Sequence, residues 1–263
     1  MKYINKQADL KDVLIHLRNK NFSIFYGNTG FIQKIFNRIS TAILRYQTKL
    51  NSSAGDYKLV ITERIIETPL VFKYLRDQDE TILDFGGFES ILPLQLSALG
   101  YKVSVWDQRP YPFSHPNITV LCGDLFVQSR EIMDRFDVIV SISVIEHLGL
   151  GNYGDQVVED ADKEGVKILW GLLKKGGRLM VSVPAGRPTI QRGYRVYNEE
   201  KIREVFPDIQ KIYWYAKSGR EGIWREVQGE ALGNLVYSAH WEQSPVEGLA
   251  FIICEKKTDH ADL

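Results

Sequence analysis

The segment TILDFGGFES, residues 81–90, constrains the fold more than any other part of the chain. A short apolar run ends in Asp84, a turn follows at Gly86 and Gly87, and residues 91–100 then have the composition of a helix. A strand that passes through a glycine turn into a helix lets the backbone approach a nucleotide closely. The segment therefore predicts the first strand–helix unit of a nucleotide-binding α/β domain.

After this segment, strand-like and helix-like stretches alternate, as a doubly wound parallel sheet requires. The predicted strands are TILDF, KVSVWD, ITVLCGD, FDVIVSIS, RLMVSVP, IQKIYWYA and GLAFIICEKK. The last two are joined by a long segment without a helical pattern, from about residue 216 to 247. The sequence thus predicts a Rossmann-like α/β fold with a seven-stranded, mostly parallel sheet and an antiparallel last strand.

The residues before the sheet divide into an arm and a helix. Residues 1–56 are predicted to be a helical cap, because residues 31–47 have an amphipathic pattern and NSSAGD at 51–56 reads as a linker. The main domain is predicted at 57–263. Its first helix covers about residues 57–75, with Pro69 starting a new helical turn rather than lying within the helix.

Charge and composition exclude several functional classes. The chain is neutral overall, which gives no general affinity for nucleic acid, and it has no apolar run long enough to cross a membrane and no signal-peptide pattern. Cys122 and Cys254 stand in apolar contexts and are predicted to be buried, reduced thiols of a cytoplasmic protein.

The N-terminal arm is basic, since residues 1–50 contain nine Lys and Arg against two Asp. Three roles fit it: a cap over the substrate, a homodimer contact, or contact with an anionic surface. For an acceptor that carries phosphate, Lys34, Arg38 and Arg45 would supply positive charge.

Acidic residues end three of the predicted strands: Asp84, Asp107 and Asp124. A carboxylate at the end of the second strand can accept hydrogen bonds from both ribose hydroxyls. One at the end of the third strand could accept from an adenine amino group, with the Leu125 N–H donating back to the ring. Each also has a structural alternative, in which Asp107 caps a turn and Asp124 caps the next helix.

In order, these motifs resemble those of class I S-adenosylmethionine-dependent methyltransferases. DFGGFES is similar to the family's first motif, VWD to the acidic end of its second strand, GDL to the acid after its third, and LLKKGGRLMVSVP to its fifth-strand signature. The resemblance covers about residues 56–257. Phe88 departs from it, because it stands where the family has a second motif glycine.

The resemblance implies S-adenosylmethionine as cofactor and a small polar acceptor. The pieces GFES, DQRPYPFSHPNI, VIEHLGLGNYGD and KKGGRLMVSVPAG are similar to a bacterial group that is often linked to glycan or natural-product assembly. The residues expected to hold the cofactor are Asp84, Gly86, Gly87, Asp107, Gln108, Asp124, Leu125 and Ser141. Arg64 is expected either to reach the cofactor's carboxylate or to pair with Glu67.

Two residues after the fourth strand are candidates for preparing the acceptor. His147 is a natural general base near neutral pH, because its ordinary pKa is about 6.5. Glu146 is the competing candidate, and adjacent residues at a helix start point in different directions. The alternative is a purely structural pair.

Acceptor contacts are predicted from two segments. Tyr153 and Asp155 lie in the glycine-rich loop that follows, and the long segment before the last strand contains Trp224 and Trp241, which could wall a pocket or form a small satellite core. No His or Cys spacing indicates a metal site.

The sequence therefore predicts methyl transfer to oxygen or nitrogen of a small polar acceptor, such as a sugar or nucleotide-sugar derivative. Two alternatives stay open: a nicotinamide-dependent Rossmann enzyme, and a non-catalytic protein that keeps the fold as a scaffold or regulator.

Overall fold

A computed structural model of the chain describes residues 62–77, 80–128, 133–151, 157–191, 193–218, 223–233, 235 and 248–258. Several predictions concern residues outside these ranges: the helical cap with its linker and proposed dimer contact, and the acceptor contacts Tyr153, Asp155 and Trp241.

Five α-helices and ten strands are present in the described residues. The helices are α1 Arg64–Tyr74, α2 Leu92–Ala98, α3 Leu125–Gln128, α4 Ala161–Leu172 and α5 Glu199–Val205. The strands are β1 Thr81–Phe85, β2 Lys102–Asp107, β3 Ile118–Cys122, β4 Phe136–Ile142, β5 Leu173–Pro184, β6 Thr189–Gln191, β7 Tyr194–Val196, β8 Ile209–Ser218, β9 Ile223–Val227 and β10 Gly248–Glu255. Short 3-10 helices cover Gly87–Glu89, Ile145–His147 and Gly229–Leu232.

Eight strands form one sheet in the order β3-β2-β1-β4-β5-β10-β8-β9. Strands β1 to β5 pair in parallel, and β10 lies antiparallel between β5 and β8. This is the predicted Rossmann-like class I methyltransferase fold, and that prediction is confirmed.

The predicted strand number was wrong by one. The segment predicted as a long connection between the last two strands contains β9, which pairs antiparallel with β8, and then a 3-10 helix. Pairing with β9 satisfies the backbone groups that β8 would otherwise expose at the sheet edge. A small β6–β7 hairpin after β5 was also not predicted.

Side chains of neighbouring residues on the central strands are buried on opposite faces, which explains the continuous apolar runs. One face of each central strand contributes Leu83, Ile139, Val181 and Ile252, which pack with α4 and α5. The other contributes Ile82, Val138, Met180 and Phe251, which pack with α1 and α2. The sheet therefore has a hydrophobic core on both sides.

Two local expectations were wrong. Pro69 lies inside α1, where burial of the neighbouring Leu70 and Val71 holds the helix together despite the missing N–H. Cys254 is buried as expected, but Cys122 is exposed because β3 is an edge strand. None of the helices in the described ranges has the length and apolar character needed to cross a membrane.

Candidate functional site

The glycine turn joins β1 to the 3-10 helix at Gly87–Glu89. Gly86 has φ of 77° and ψ of 24°, a left-handed conformation that glycine adopts without strain. Its N–H donates to the Trp106 carbonyl at 2.7 Å, which ties the turn to β2. A Cβ atom at Gly86 would lie within 3.0 Å of three side-chain atoms of Val144, the second residue after β4. The turn and the end of β4 are therefore in direct contact.

Beneath the turn lies Asp84, which is buried. A Cβ atom at Gly87 would come within 2.8 Å of Val105 Cγ1 and 2.9 Å of Asp84 Oδ2. The two glycines thus make room for the protein's own side chains. The sequence had instead predicted that the space left by these two glycines is occupied by the cofactor.

Asp107, the last residue of β2, faces the turn. Its Oδ2 accepts the Phe88 N–H at 3.2 Å, and its Oδ1 accepts the Arg109 N–H at 2.9 Å and the Arg109 Nε–H at 3.3 Å. The Arg109 guanidinium carbon lies 3.9 Å from the centre of the Phe88 ring, a cation–π contact. The side chain that replaces the second motif glycine is therefore part of a packed group with Asp107.

The end of β3 is tied to β2 at Gly123, whose N–H donates to the Asp107 carbonyl at 3.0 Å. Asp124 is exposed, and its Oδ1 accepts the Phe126 N–H at 2.9 Å, so it caps α3. Leu125 is buried, whereas Gln108 is exposed directly after β2. The three predicted aspartates therefore end adjacent strands at one edge of the sheet, with Asp84 inside and the other two nearer the surface.

A polar cluster lies at the ends of β4 and β5, and we call Arg64, Glu67, Ser143 and Ser182 the Glu67 cluster. Glu67 is fully buried, and its Oε1 accepts from the hydroxyls of Ser143 at 3.1 Å and Ser182 at 2.5 Å. Its Oε2 lies 2.5 Å from a guanidinium nitrogen of Arg64, which also donates to Ser143 Oγ at 3.1 Å. Ser143 directly precedes Val144, so the Glu67 cluster borders the glycine turn.

Two more carboxylates adjoin the Glu67 cluster. Glu146 is 2% exposed, and its Oε2 has no hydrogen-bond partner among the described residues. Burial, reinforced by Glu67 and Glu63, raises the pKa of Glu146 to about 8, so it is mostly protonated at neutral pH. Burial also raises the pKa of Glu63, with Glu67 adding to the effect. The pKa of Arg64 is raised by these carboxylates, although partial desolvation opposes the rise.

His147 follows Glu146 in the 3-10 helix and is held by the β6–β7 hairpin. Its Nδ1 lies 2.6 Å from the Gly193 carbonyl, and its ring packs edge-on against Tyr194. Because a carbonyl only accepts, Nδ1 carries the proton and Nε2 is left as the basic nitrogen in the neutral ring. Nε2 lies 3.8 Å from Glu146 Oε1. The loop itself is fixed by Arg195, which donates to the Leu148 carbonyl at 2.6 Å.

Other predicted site residues lie away from the turn. Ser141 is fully buried within β4, two residues before Ser143. Trp224 is on β9, five strands from β1, or roughly 24 Å at a strand spacing of about 4.8 Å. It packs near Lys217 of β8, a residue close enough to Glu63 to lower its pKa. Trp224 therefore stands beyond the Glu67 cluster, far from the glycine turn.

Sequence reasoning missed part of this site. It identified Glu67 only as a partner for Arg64 and did not identify Ser143, Ser182, Gly193 or Arg195. The one local signal was Ser143 itself, a polar residue immediately after a buried strand, where open α/β sheets place ligands.

Comparisons with known proteins agree with the fold. Residues 113–229 match the profile of a family described as Caenorhabditis protein of unknown function, DUF268. No curated protein sequence gives a significant match. Among solved structures, the [4+2]-cyclase SpnF is similar with a TM-score of 0.51 and 16% identity, covering 73% of this chain and 80% of that chain.

Two further solved structures have lower scores. The Burkholderia thailandensis 1,6-didemethyltoxoflavin-N1-methyltransferase, with bound 1,6-didemethyltoxoflavin and S-adenosylhomocysteine, has a TM-score of 0.48 and 14% identity, covering 89% of this chain and 94% of that one. A TehB-like SAM-dependent methyltransferase from Corynebacterium glutamicum has a TM-score of 0.45 and 18% identity, covering 83% and 100%. At these identities the similarity describes the fold, and function must be argued from the site.

Proposed function

We propose that this chain is an S-adenosylmethionine-dependent methyltransferase that acts on oxygen or nitrogen of a small polar acceptor. The observation that carries the proposal is the charge beside the glycine turn. Glu63 and Glu67 flank one cation, Arg64, at the carboxyl ends of β4 and β5, and the protonated Glu146 adds a hydrogen-bond donor beside them. Such a site suits a ligand that carries both cationic groups and one carboxylate.

The chain's residues fit the parts of that cofactor. Asp107 at the end of β2 would accept from the ribose hydroxyls, and Asp124 with the Leu125 N–H would contact the adenine. Arg64 would take the carboxylate, while Glu63 and Glu67 favour the ammonium and sulfonium charges. When bound, the cofactor supplies a methyl group activated on a sulfonium.

The acceptor would be prepared by His147 and Glu146. In the neutral His147 ring the proton is on Nδ1, where the Gly193 carbonyl holds it, so Nε2 is the nitrogen that would take a proton from the acceptor. Glu146, protonated at neutral pH, can donate a hydrogen bond to an acceptor oxygen or nitrogen through its Oε2. We assign His147 as the base and Glu146 as the orienting donor. A sugar derivative as acceptor is supported by the resemblance of the sequence motifs.

The nicotinamide alternative is less well supported by the glycine turn. A dinucleotide places a pyrophosphate at this turn, next to a helix N-terminus. Here a 3-10 helix of three residues follows the turn in place of an α-helix.

The scaffold alternative keeps one observation in its favour. Both carboxylate oxygens of Asp107 are engaged by Phe88 and Arg109, so ribose would have to share or displace these bonds. A [4+2]-cyclase also has this fold, so the fold alone does not decide between methyl transfer and another role.

Calorimetric titration with S-adenosylhomocysteine and with NAD tests the proposal. We expect S-adenosylhomocysteine to bind and the Asp107→Asn variant to bind it about 10- to 100-fold more weakly, as expected for loss of a charge-assisted hydrogen bond. Asp208→Asn, an exposed substitution just before β8, is the matched control and should bind normally. Binding of NAD without S-adenosylhomocysteine would overturn the proposal, as would equal affinity in the Asp107→Asn variant and the control.

A further inference from the structure

A cavity of about 400 Å³ lies at the opposite edge of the sheet from the glycine turn. It is lined by the last turn of α1, the start of β8, Arg178 of β5 and the end of β10. Small-molecule sites have volumes of about 300–1,000 Å³, so the cavity can hold a ligand larger than a single ion. We call it the basic cavity.

The walls of the basic cavity carry a surplus of positive charge. Four cations line it, Lys73, Arg76, Arg178 and Lys211, against one carboxylate, Glu255. Arg76 pairs with Glu255 at 2.7 Å, and Arg178 pairs with Glu80 just outside the lining. The two lysines remain, so the cavity has a net charge of about two positive units.

One cation of the basic cavity is buried and incompletely bonded. The Arg178 side chain is 3% exposed, and its Nε has no hydrogen-bond partner among the described residues. A buried guanidinium N–H without a partner is energetically unfavourable, so most such donors have a partner. The Nε atom is closed off from solvent, so Arg178 contributes charge to the cavity wall, where Glu80 offsets it.

The two lysines of the basic cavity lie beside two tyrosines, Tyr74 of the lining and the buried Tyr213. The hydroxyls of Tyr74 and Tyr213 lie 2.5 Å apart, and Lys73 Nζ donates to the Tyr213 hydroxyl at 3.2 Å. Lys211 Nζ lies 4.4 Å from the centre of the Tyr213 ring. Burial would raise the pKa of Tyr213, but hydrogen bonds from Lys211, Tyr74 and Lys73 lower it to about 8. The ammonium groups of Lys73 and Lys211 therefore both lie next to the side chain of Tyr213.

We propose that the basic cavity binds a small organic phosphate, with Lys73 and Lys211 neutralising the phosphate dianion. A charge of minus two matches the surplus of the cavity. Ammonium and guanidinium groups form their strongest hydrogen bonds with such oxyanions. The site lies at the amino ends of the parallel strands, so it is distinct from the proposed methyl-transfer site.

Calorimetric titration of the full chain with ribose 5-phosphate tests this, with ribose as the uncharged control and sodium chloride at matched ionic strength. We expect saturable binding of ribose 5-phosphate and none of ribose. The Lys73→Gln/Lys211→Gln variant should bind at least about tenfold more weakly, because two charge-assisted hydrogen bonds are lost. Both lysines are exposed, so the variant should fold normally. Lys167→Gln, an exposed lysine on α4, is the matched control and should bind like wild type.

A spectroscopic signal locates the ligand. The groups facing the Tyr213 hydroxyl are Lys73 and Tyr74 of α1 and Lys211 of β8, with Tyr215 farther along the strand. A bound dianion that pairs with the two lysines draws them away from the Tyr213 hydroxyl and so raises the pKa of Tyr213. Phenolate absorbance at pH 8 should therefore fall as ribose 5-phosphate binds. Tyr213→Phe should remove this change without removing binding. The proposal is wrong if ribose 5-phosphate does not bind saturably, or if the double lysine variant binds it with wild-type affinity.

Discussion

Replacing Gly86 by alanine tests how the glycine turn is built. The substitution has two separate costs in the structure. The first is conformational, because the φ of 77° at Gly86 costs an L residue with a side chain about 1–3 kcal/mol. Its new methyl group would also lie within 3.0 Å of three Val144 atoms, and such overpacking costs about 1–3 kcal/mol more. We therefore expect Gly86→Ala to lower the free energy of unfolding by about 2–6 kcal/mol.

Gly100 separates these two contributions. It also has a positive φ, 99°, but a Cβ atom built there meets nothing within 4 Å. Gly100→Ala should therefore have only the conformational cost, about 1–3 kcal/mol. The difference between the two variants measures the contact with Val144.

Urea unfolding of both variants, and of Gly86→Ala combined with Val144→Ala, gives the required free energies. Removing the Val144 methyls should relieve the clash, so Gly86→Ala should cost less in the Val144→Ala background than in wild type. If Gly86→Ala and Gly100→Ala cost the same, or if Val144→Ala gives no relief, the turn does not pack on β4 as described. The glycine would then have to be explained by ligand approach.

Two further predictions concern a buried acid and a helix cap. Because the pKa of Glu146 is raised in the folded chain, the folded state keeps a proton that the unfolded state loses above about pH 4.5. The stabilisation present below that pH is therefore lost as the pH rises through about 8. Urea unfolding at several pH values should show a smaller fall in stability for Glu146→Gln than for wild type, and an equal fall would contradict the raised pKa. Asn198 caps α5 by accepting the Lys201 N–H at 2.8 Å, so Asn198→Ala should lower the unfolding free energy by about 0.5–2 kcal/mol, with Gln210→Ala on β8 as an exposed control that should change it little.

The sheet could be predicted because its order follows from local patterns. Runs such as LMVSV and FDVIV fill two core faces, so they had to be central strands, and the alternation with helices made them parallel. The edge strand β9 was missed because its side chains are mostly exposed, and an apolar pattern cannot identify a strand that is not buried.

The site could be predicted only where its residues are close in sequence to the strand ends. Asp84, Asp107 and Asp124 were identified because each follows a short apolar run. The Glu67 cluster was not, because Glu67 bonds to Ser182 across 115 residues of sequence. The choice of Ser141 over Ser143 reflects a two-residue uncertainty in where β4 ends. Long-range polar contacts have no periodic signature, so composition and spacing cannot identify them.

The position of β10 determines when the sheet can be completed during synthesis. Residues 248–255 insert between β5 and β8, and all of them except Glu255 are buried. Until these residues leave the ribosome, β5 and β8 each present an unpaired backbone edge, and those edges are exposed to other chains for as long as translation takes to reach them. A nascent chain of this protein therefore gains most from a chaperone after β8 has been made and before β10 has been.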